Sequence, residues 1–368
     1  MKLSITPRVV CISDPAFGSR AYPYAFGCVP ATLEKTGMNV FHINSATATL
    51  ESFRRDIEEF KPELIFGFIQ NARQVMKIAG FLNEYHPAAV INWYLEDPNL
   101  ILDPDDPGIN IIEASASFDM WFSQDSKMIP FWKTRAAFMP PAFDDSIYQD
   151  YGLDRCFDVS YIGQLGPRCV TEMYWPYMRE LARYGKKAML CIDRPMGIPL
   201  LPKPLEKFIR SKKNRSFLQK LPVWKCGWQT PKNEKDKAII INKSKIHFGL
   251  LRVRGDWEGR VKTLLPNYPL DKHGLFYQFK GRLFQAVGAG AMALNEYCPE
   301  LEDMFDIGKE IVTFEFGNPE EIRDKLRWYI QNDSERRQIA KAGYERGRKQ
   351  HTFAARVRQI FNAIREKL

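Results

Sequence analysis

The stretch Lys280-Gly-Arg-Leu-Phe-Gln-Ala-Val-Gly-Ala-Gly-Ala-Met-Ala-Leu-Asn-Glu296 holds the residue types and spacing best suited to chemistry. A short helix starting here presents unpaired backbone N–H groups and a positive partial charge, a natural seat for phosphate. Lys280 and Arg282 add two full charges at that end. Leu283, Phe284 and Val287 supply an apolar face, and Gly288 and Gly290 allow a sharp turn into a strand at Ala291–Leu294. The arrangement suits a diphosphate-bearing ligand at the edge of a parallel sheet. Two solvated or ion-paired cations are the simpler alternative. Glu296, just past the strand, either approaches such a ligand or is an ordinary loop acid.

Other candidates lie at predicted strand ends, where open α/β sheets place their sites. Gly163 leads into Gln164-Leu-Gly-Pro-Arg168, a turn that either lies over the diphosphate or is purely structural; Arg168 is its one cation and a second candidate phosphate ligand. Glu96 and Asp97 follow another strand and are candidate general bases. An Asp-Pro turn at Asp97–Pro98 is the competing reading. Asp14, after the first strand, has the same geometric claim without a motif. Asp103, Asp105 and Asp106, interspersed with prolines, read as a solvated surface turn rather than a metal site. The five histidines show no ligand spacing, and His351 before the last helix reads as structural. Seven cysteines occur singly, indicating neither a disulfide framework nor a zinc site. No resident metal or cofactor is expected.

These residues need a frame, and 368 residues allow two α/β domains with separate cores. Strand signals at Val9–Ser13, Met38–Ile43, Glu63–Phe68, Ala88–Tyr94, Asp119–Ser123 and Ala136–Met139 alternate with helical stretches at Leu50–Phe60 and Ala72–Tyr85. A second series runs through Phe157–Gly163, a helix near Thr171–Tyr184, Lys187–Ile192, Ile246–Leu251, the opening stretch and Glu310–Phe314. Such alternation predicts right-handed βαβ units and parallel sheets. Three helices close the chain, with Asn318, Ser334 and Thr352 as expected caps and Pro319 in a first turn.

The net charge of +9 is concentrated between Lys203 and Lys237, which hold eleven Lys/Arg against three Asp/Glu. Phe208, Phe217, Trp224 and Trp228 are interspersed. This segment fits an anionic membrane surface, a polyanionic acceptor or nucleic acid, or else a solvated basic loop. No apolar run is long enough for a membrane span, and the N-terminus lacks a secretory h-region. A cytoplasmic protein, at most peripheral at the membrane, is expected.

Asp158-Val-Ser-Tyr-Ile-Gly163, Lys245-Ile246, Lys280-Gly-Arg-Leu-Phe-Gln285, Gly288-Ala-Gly290, Gly308-Lys-Glu-Ile-Val312, Glu335–Tyr344 and His351-Thr352 resemble, in order and spacing, the CgeB-like (spore maturation protein) glycosyltransferases of the GT-B superfamily. The resemblance covers most of Cys156–Leu368 and is weaker before it, resting there on Trp93–Pro98, Phe118-Asp119 and Met139-Pro140. It implies a GT-B-like α/β fold: two doubly wound Rossmann-like domains facing each other across a cleft. The acceptor-side domain would span 1–150, the nucleotide-sugar domain 151–345, and a C-terminal helix, 346–368, would pack back on the first.

The implied reaction is metal-independent transfer of a sugar from a nucleotide diphosphate donor, expected to be a UDP-sugar, to a hydroxyl of a glycan, lipid-linked or other polymeric acceptor. Lys280 and Arg282 would neutralise the diphosphate. Gln285 stands where relatives carry a ribose-binding glutamate, and Tyr277 stands where the superfamily's E-x7-E pattern has its first glutamate, so that pattern is broken. Two other readings remain: a DNA-modifying glycosyltransferase using 203–237, and a non-catalytic nucleotide- or glycan-binding protein that keeps the fold.

Overall fold

Short runs rich in Val, Ile and aromatic residues, separated by amphipathic stretches, build two parallel sheets. The computed structural model describes residues 4, 6–14, 25–96, 102–103, 106–165, 171–195, 231–254 and 265–367. These fall into two units, one within 1–142, 255–274 and 352–368, the other within 143–254 and 275–351.

The strands of the first unit are β1 (Arg8–Ser13), β2 (Asn39–Asn44), β3 (Leu64–Phe68), β4 (Ala89–Tyr94), β5 (Leu102–Asp103), β6 (Asp106–Asn110), β7 (Met120–Ser123) and β8 (Arg135–Phe138). Six form one sheet in the order β2-β1-β3-β4-β7-β8, every pair parallel. β5 and β6 pair antiparallel by themselves. The acidic stretch around Asp103 and Asp106, expected as a plain surface turn, therefore contains a strand pair. Parallel sheets bury both faces. Val9, Cys11, Phe66, Ile91, Trp93 and Phe122 pack on Val29 and Leu33 of the helix Ala25–Lys35 and on Phe353, Val357, Ile360 and Phe361 of the helix Phe353–Lys367. Val10, Ile12, Ile65 and Val90, which alternate with them, are equally buried. The helix Ala25–Lys35 was not legible in the sequence because Pro30, normally a helix breaker, sits inside it. Thr352 caps the last helix as expected, accepting from the Ala355 N–H at 3.1 Å.

The second unit carries β9 (Phe157–Leu165), β10 (Ala188–Pro195), β11 (Ser244–Gly249), β12 (Arg252–Arg254), β13 (Leu275–Tyr277), β14 (Met292–Glu296) and β15 (Val312–Phe314). Its sheet runs β10-β9-β11-β14-β15, again wholly parallel, while β12 and β13 form a separate antiparallel pair. On one face Tyr161, Leu190, Ile246, Phe248, Leu294 and Phe314 pack against Tyr174, Tyr177 and Leu181 of one helix and Ile322 and Leu326 of another. The helices Gly281–Gly288 and Asp333–Gln350 both lie against β14.

Three local expectations need amendment. Asn318 caps its helix, accepting from the Glu321 N–H at 3.1 Å, but Ser334 caps nothing: the next helix starts at Asp333 with Asn332 as its N-cap and no side-chain cap bond. The tail of the basic segment is a helix, Glu234–Asn242, capped by Asn233, and β11 follows it directly. Finally, the described residues of 265–274 group with the first unit, where the Tyr268 hydroxyl donates to Asp125 and its ring lies 6.2 Å from Phe131. Among the described residues, no helix is long and apolar enough to cross a membrane.

Helix Asp333–Gln350 docks through glycine. A Cβ at Gly343 would collide with the Glu310 carbonyl oxygen, and backbone cannot step aside. Gly80 is the opposite case, exposed on the helix Ala72–Glu84 with nothing within 4 Å of an added Cβ. Urea denaturation should therefore show Gly343→Ala destabilising by about 1–3 kcal/mol and Gly80→Ala stabilising by about 0.5–1 kcal/mol. Equal effects at the two positions would contradict the packing described.

Candidate functional site

All strands of a parallel sheet end on one edge, and that edge of the second unit gathers the charges. The helix Gly281–Gly288 begins there, with Lys280 as an N-cap in extended conformation and no side-chain capping bond. Its first-turn N–H groups therefore have no side-chain partner at the cap. Leu283, Phe284 and Val287 are buried and fix the helix, Phe284 lying 5.3 Å from the His351 ring and 6.2 Å from that of Phe305. Lys280 and Arg282, both half-buried, stand at its start.

Arg282 rests against β9 at a glycine. A Cβ on Gly163 would collide with the Tyr161 hydroxyl and lie 2.7 Å from Arg282 Nη1, so only glycine admits the guanidinium this close to the strand. Among the described residues, Arg282 has no hydrogen-bond or ion-pair partner. A half-buried guanidinium without a carboxylate is costly, and an anionic ligand would relieve that cost.

In the same sheet, Ser160 Oγ and His247 Nδ1 are 2.9 Å apart on register-paired residues of β9 and β11. His247 is 2% exposed, and its Nε2 is buried without a hydrogen-bond partner. Burial, reinforced by the charge of Arg282, lowers its pKa to about 3, so the imidazole is neutral. Neither residue was singled out in the sequence. The signal was present in Lys245-Ile-His-Phe-Gly249, where a histidine interrupts an apolar strand.

Glu296, the last residue of β14, lies at the same edge but is fully buried. Its Oε2 accepts from the N–H groups of Leu251 (2.7 Å) and Arg252 (3.1 Å) and from the Tyr174 hydroxyl (3.0 Å). Its Oε1 accepts from Arg252 Nη1 at 2.5 Å. Arg252 is sandwiched between the rings of Tyr277 (4.7 Å) and Phe316 (4.5 Å) and also donates to the Tyr277 hydroxyl at 3.1 Å. Removing one member of such a buried pair costs about 3–5 kcal/mol. The pair holds β12 beside β13, and the Gln278 N–H to Leu251 carbonyl bond (2.9 Å) carries that order to within two residues of Lys280.

The remaining candidates lie elsewhere. Gln285 is buried and donates to Glu234 Oε2 at 3.4 Å; Glu234 also receives the Tyr148 hydroxyl and the Lys237 ammonium. This network ties the helix Gly281–Gly288 to the helix Glu234–Asn242. Gly290 makes the turn before β14 at φ +73°, at the amino edge of the sheet, where an added Cβ would come within 3.0 Å of Arg155 and 3.2 Å of Asp150. The structure thus brings Gly163, Lys280 and Arg282 together, with Glu296 bracing the same edge, and leaves Gln285 and Gly290 apart. Arg168 and Asp97 lie outside the described residues, as does the basic segment up to residue 230. Of its tail, Lys235 stacks 3.7 Å over the Tyr151 ring.

In the first unit, Asp14 is buried and its Oδ2 accepts from the N–H groups of Gln70 (3.0 Å) and Asn71 (2.7 Å). Burial raises its pKa against the pull of those bonds. Gln70 in turn donates to the Trp93 carbonyl (2.8 Å) and accepts from the Leu95 N–H (2.6 Å), bracing the carboxyl ends of β3 and β4. Glu96 follows, half-buried, two residues past β4. Among the described residues, no cluster of three His, Cys, Asp or Glu side chains is arranged to hold a metal ion.

Residues 206–362 match the family model described as "Glycosyl transferase-like". No curated protein matches the sequence. Among solved structures, the chain is similar to a sucrose-phosphate synthase from Thermosynechococcus elongatus, with 10% identity, a TM-score of 0.63 and 98% of each chain covered. It is similar to HepE of Anabaena in complex with UDP and glucose, at 10% identity and TM-score 0.58, covering 97% of this chain and 99% of that one. It is also similar to an alpha-glucosyltransferase in complex with UDP and a 13-mer DNA containing an HMU base, at 10% identity and TM-score 0.65, covering 97% and 99%. The two parallel-sheet units thus have the GT-B architecture, and with the family match they bear out the expectation of a glycosyltransferase.

Because the folded-state value of His247 (about 3) lies below its ordinary 6.5, the unfolded chain takes up the proton first. The stability tied to this group is full above about pH 6.5 and falls as pH drops towards 3. Denaturant titrations across this range should show wild type losing stability on acidification at up to about 1.4 kcal/mol per pH unit from this group. His247→Gln should show a shallower slope; identical slopes would mean that the imidazole is not held neutral.

Proposed function

We propose that this chain transfers a sugar from a UDP-sugar, or a closely related nucleotide diphosphate sugar, to an acceptor hydroxyl, and that it belongs to the CgeB-like branch. The observation that carries the reading is the uncompensated Arg282 guanidinium lying over Gly163 at the start of a helix. As the glycosidic bond breaks, negative charge accumulates on the departing diphosphate. Arg282, Lys280 and the first-turn N–H groups stabilise that charge from fixed positions. This is the work a divalent cation does in metal-dependent transferases, so the proposed reaction needs none. UDP as the nucleotide is supported by two structurally similar proteins, HepE and the alpha-glucosyltransferase, which were captured with UDP.

Gln285, engaged with Glu234, is assigned to helix packing in this scheme. Glu296 acts through the Arg252 pair rather than on the sugar. In the first unit Glu96 is the described candidate for the acceptor's general base, while Asp14 is assigned to holding the 70–71 backbone. A glycan or lipid-linked acceptor is the primary reading. A DNA acceptor is the second, favoured by the structural similarity to an alpha-glucosyltransferase solved with DNA and by the basic segment 203–237.

Calorimetric titration of the purified chain with UDP, GDP and ADP, without added divalent cation, tests the proposal. UDP is expected to bind, and Arg282→Ala to weaken it roughly 10- to 100-fold. Absence of nucleotide binding in wild type, or wild-type affinity in Arg282→Ala, would overturn it. DNA binding that falls steeply with salt would move the acceptor to nucleic acid.

A further inference from the structure

We infer that the cavity between residues 150–155 and the helix Asp333–Gln350 is a second anion site, one that takes a soluble phosphate-bearing small molecule and is separate from the donor site. It lies wholly within the second unit.

Spacing along the helix builds one wall. Asp333, Arg336, Arg337, Ala340, Lys341 and Tyr344 recur every three or four residues, so they share one face. Residues 150–155 form the facing wall, with Arg155 just before β9. Lys245, near the start of β11, and Gly290, in the turn before β14, place the cavity at the amino edge of the sheet. A strand's length, on the order of 15 Å, separates that edge from the carboxyl edge where Arg282 stands. The cavity measures about 580 Å³, within the range that small ligands occupy.

Positive charge is in excess on its lining. Five cations, Arg155, Lys245, Arg336, Arg337 and Lys341, share the cavity with three carboxylates, Asp150, Asp154 and Asp333. Asp333 serves two guanidiniums at once: its Oδ1 accepts from Arg336 Nε (3.0 Å) and Nη2 (2.7 Å), and its Oδ2 from Arg337 Nε (2.5 Å). The Arg336 side chain is 3% exposed, which fixes its charge in the wall. Arg155 Nη1 donates to the Asn242 and Ser244 carbonyls at 3.0 and 2.9 Å, while its Nη2 stands 3.6 Å from Asp150 Oδ2, beyond hydrogen-bond distance. Lys245 donates to Asp158 at 2.8 Å. Lys341 is exposed and has no hydrogen-bond or ion-pair partner among the described residues. Burial lowers the Arg155 pKa; Asp150 pulls the other way, and the charges of Arg336 and Arg337 add to the lowering, as guanidiniums grouped around one cavity should. A phosphate dianion suits such a set, because guanidinium forks donate in pairs to its oxygens. Leu153, an exposed large apolar side chain, and the half-buried Tyr344 line the same space and offer surface to the body of the ligand.

Inorganic pyrophosphate is the probe, titrated calorimetrically into the full-length Arg282→Ala chain so that the donor cations contribute least. Binding is expected, and adding Arg337→Ala with Lys341→Ala should weaken it roughly 10- to 100-fold. Asp154→Asn, which removes an exposed carboxylate from the lining, should tighten it up to about five-fold. Arg54→Ala with Arg55→Ala removes two cations from the helix Leu50–Phe60 of the first unit and should leave the affinity within about two-fold. No binding by the Arg282→Ala chain would overturn the inference. Equal losses from the two double substitutions would also overturn it, by reducing the effect to overall charge.

Two further measurements locate the anion and its source. Tungstate soaked into crystals of the full chain should give an anomalous peak beside Arg155 and Arg337; peaks only elsewhere would contradict the site. Co-sedimentation with vesicles of phosphatidylcholine and phosphatidylserine should not depend on Arg337 and Lys341. Sedimentation that their replacement abolishes, with no pyrophosphate binding, would assign the phosphate to a lipid headgroup and overturn the soluble ligand.

Discussion

The activity proposed for this protein depends on one electrostatic constraint: a half-buried guanidinium held in place with no carboxylate partner among the described residues. Arg282 does not reach its position by pairing. Its backbone is set by the buried apolar face of a short helix, and its side chain lies over a glycine on β9. The protein therefore retains the cost of a partly desolvated cation, which an incoming diphosphate would recover. Acids are not scarce nearby. Glu296 and Glu234 are both buried in the same unit, yet each is committed to other partners, Arg252 and Tyr174 in one case and Lys237, Tyr148 and Gln285 in the other. Distributing the acids in this way keeps the local field positive where the helix begins.

The parallel sheet makes the arrangement possible. Because β9, β11 and β14 all end on one edge, Gly163, the Leu251–Arg252 turn and Glu296 come together although they are far apart in sequence. The antiparallel pair β12–β13 then returns the chain from that edge to Lys280, with Glu296 clamping its start. Bracing side chains that are themselves buried and bonded give precision to a site whose Arg282 guanidinium has no partner among the described residues.

Much of the frame was legible because the strands are apolar runs bounded by turn residues; the helix Leu50–Phe60 and most strands fall within a residue or two of their sequence assignment. The helix Ala25–Lys35 was obscured by Pro30, and β12 and β13 were too short to give a periodic signal. In the site, Lys280, Arg282 and Gly163 were recognisable from local spacing because a helix start and a strand end are local features. The fates of Glu296 and Gln285 were not, since what they bond to lies 45 and 51 residues away. A polar residue near a predicted site looks the same in sequence whether it meets ligand or protein; only the fold decides.

The most direct test of the central claim is an experimental structure of the protein crystallised with UDP. The account predicts the diphosphate at the carboxyl edge of the second sheet, with a phosphate oxygen within hydrogen-bond distance of the Arg282 guanidinium and of an N–H in the first turn of the helix Gly281–Gly288. A diphosphate bound elsewhere, or Arg282 ion-paired to a protein carboxylate with the nucleotide present, would contradict it.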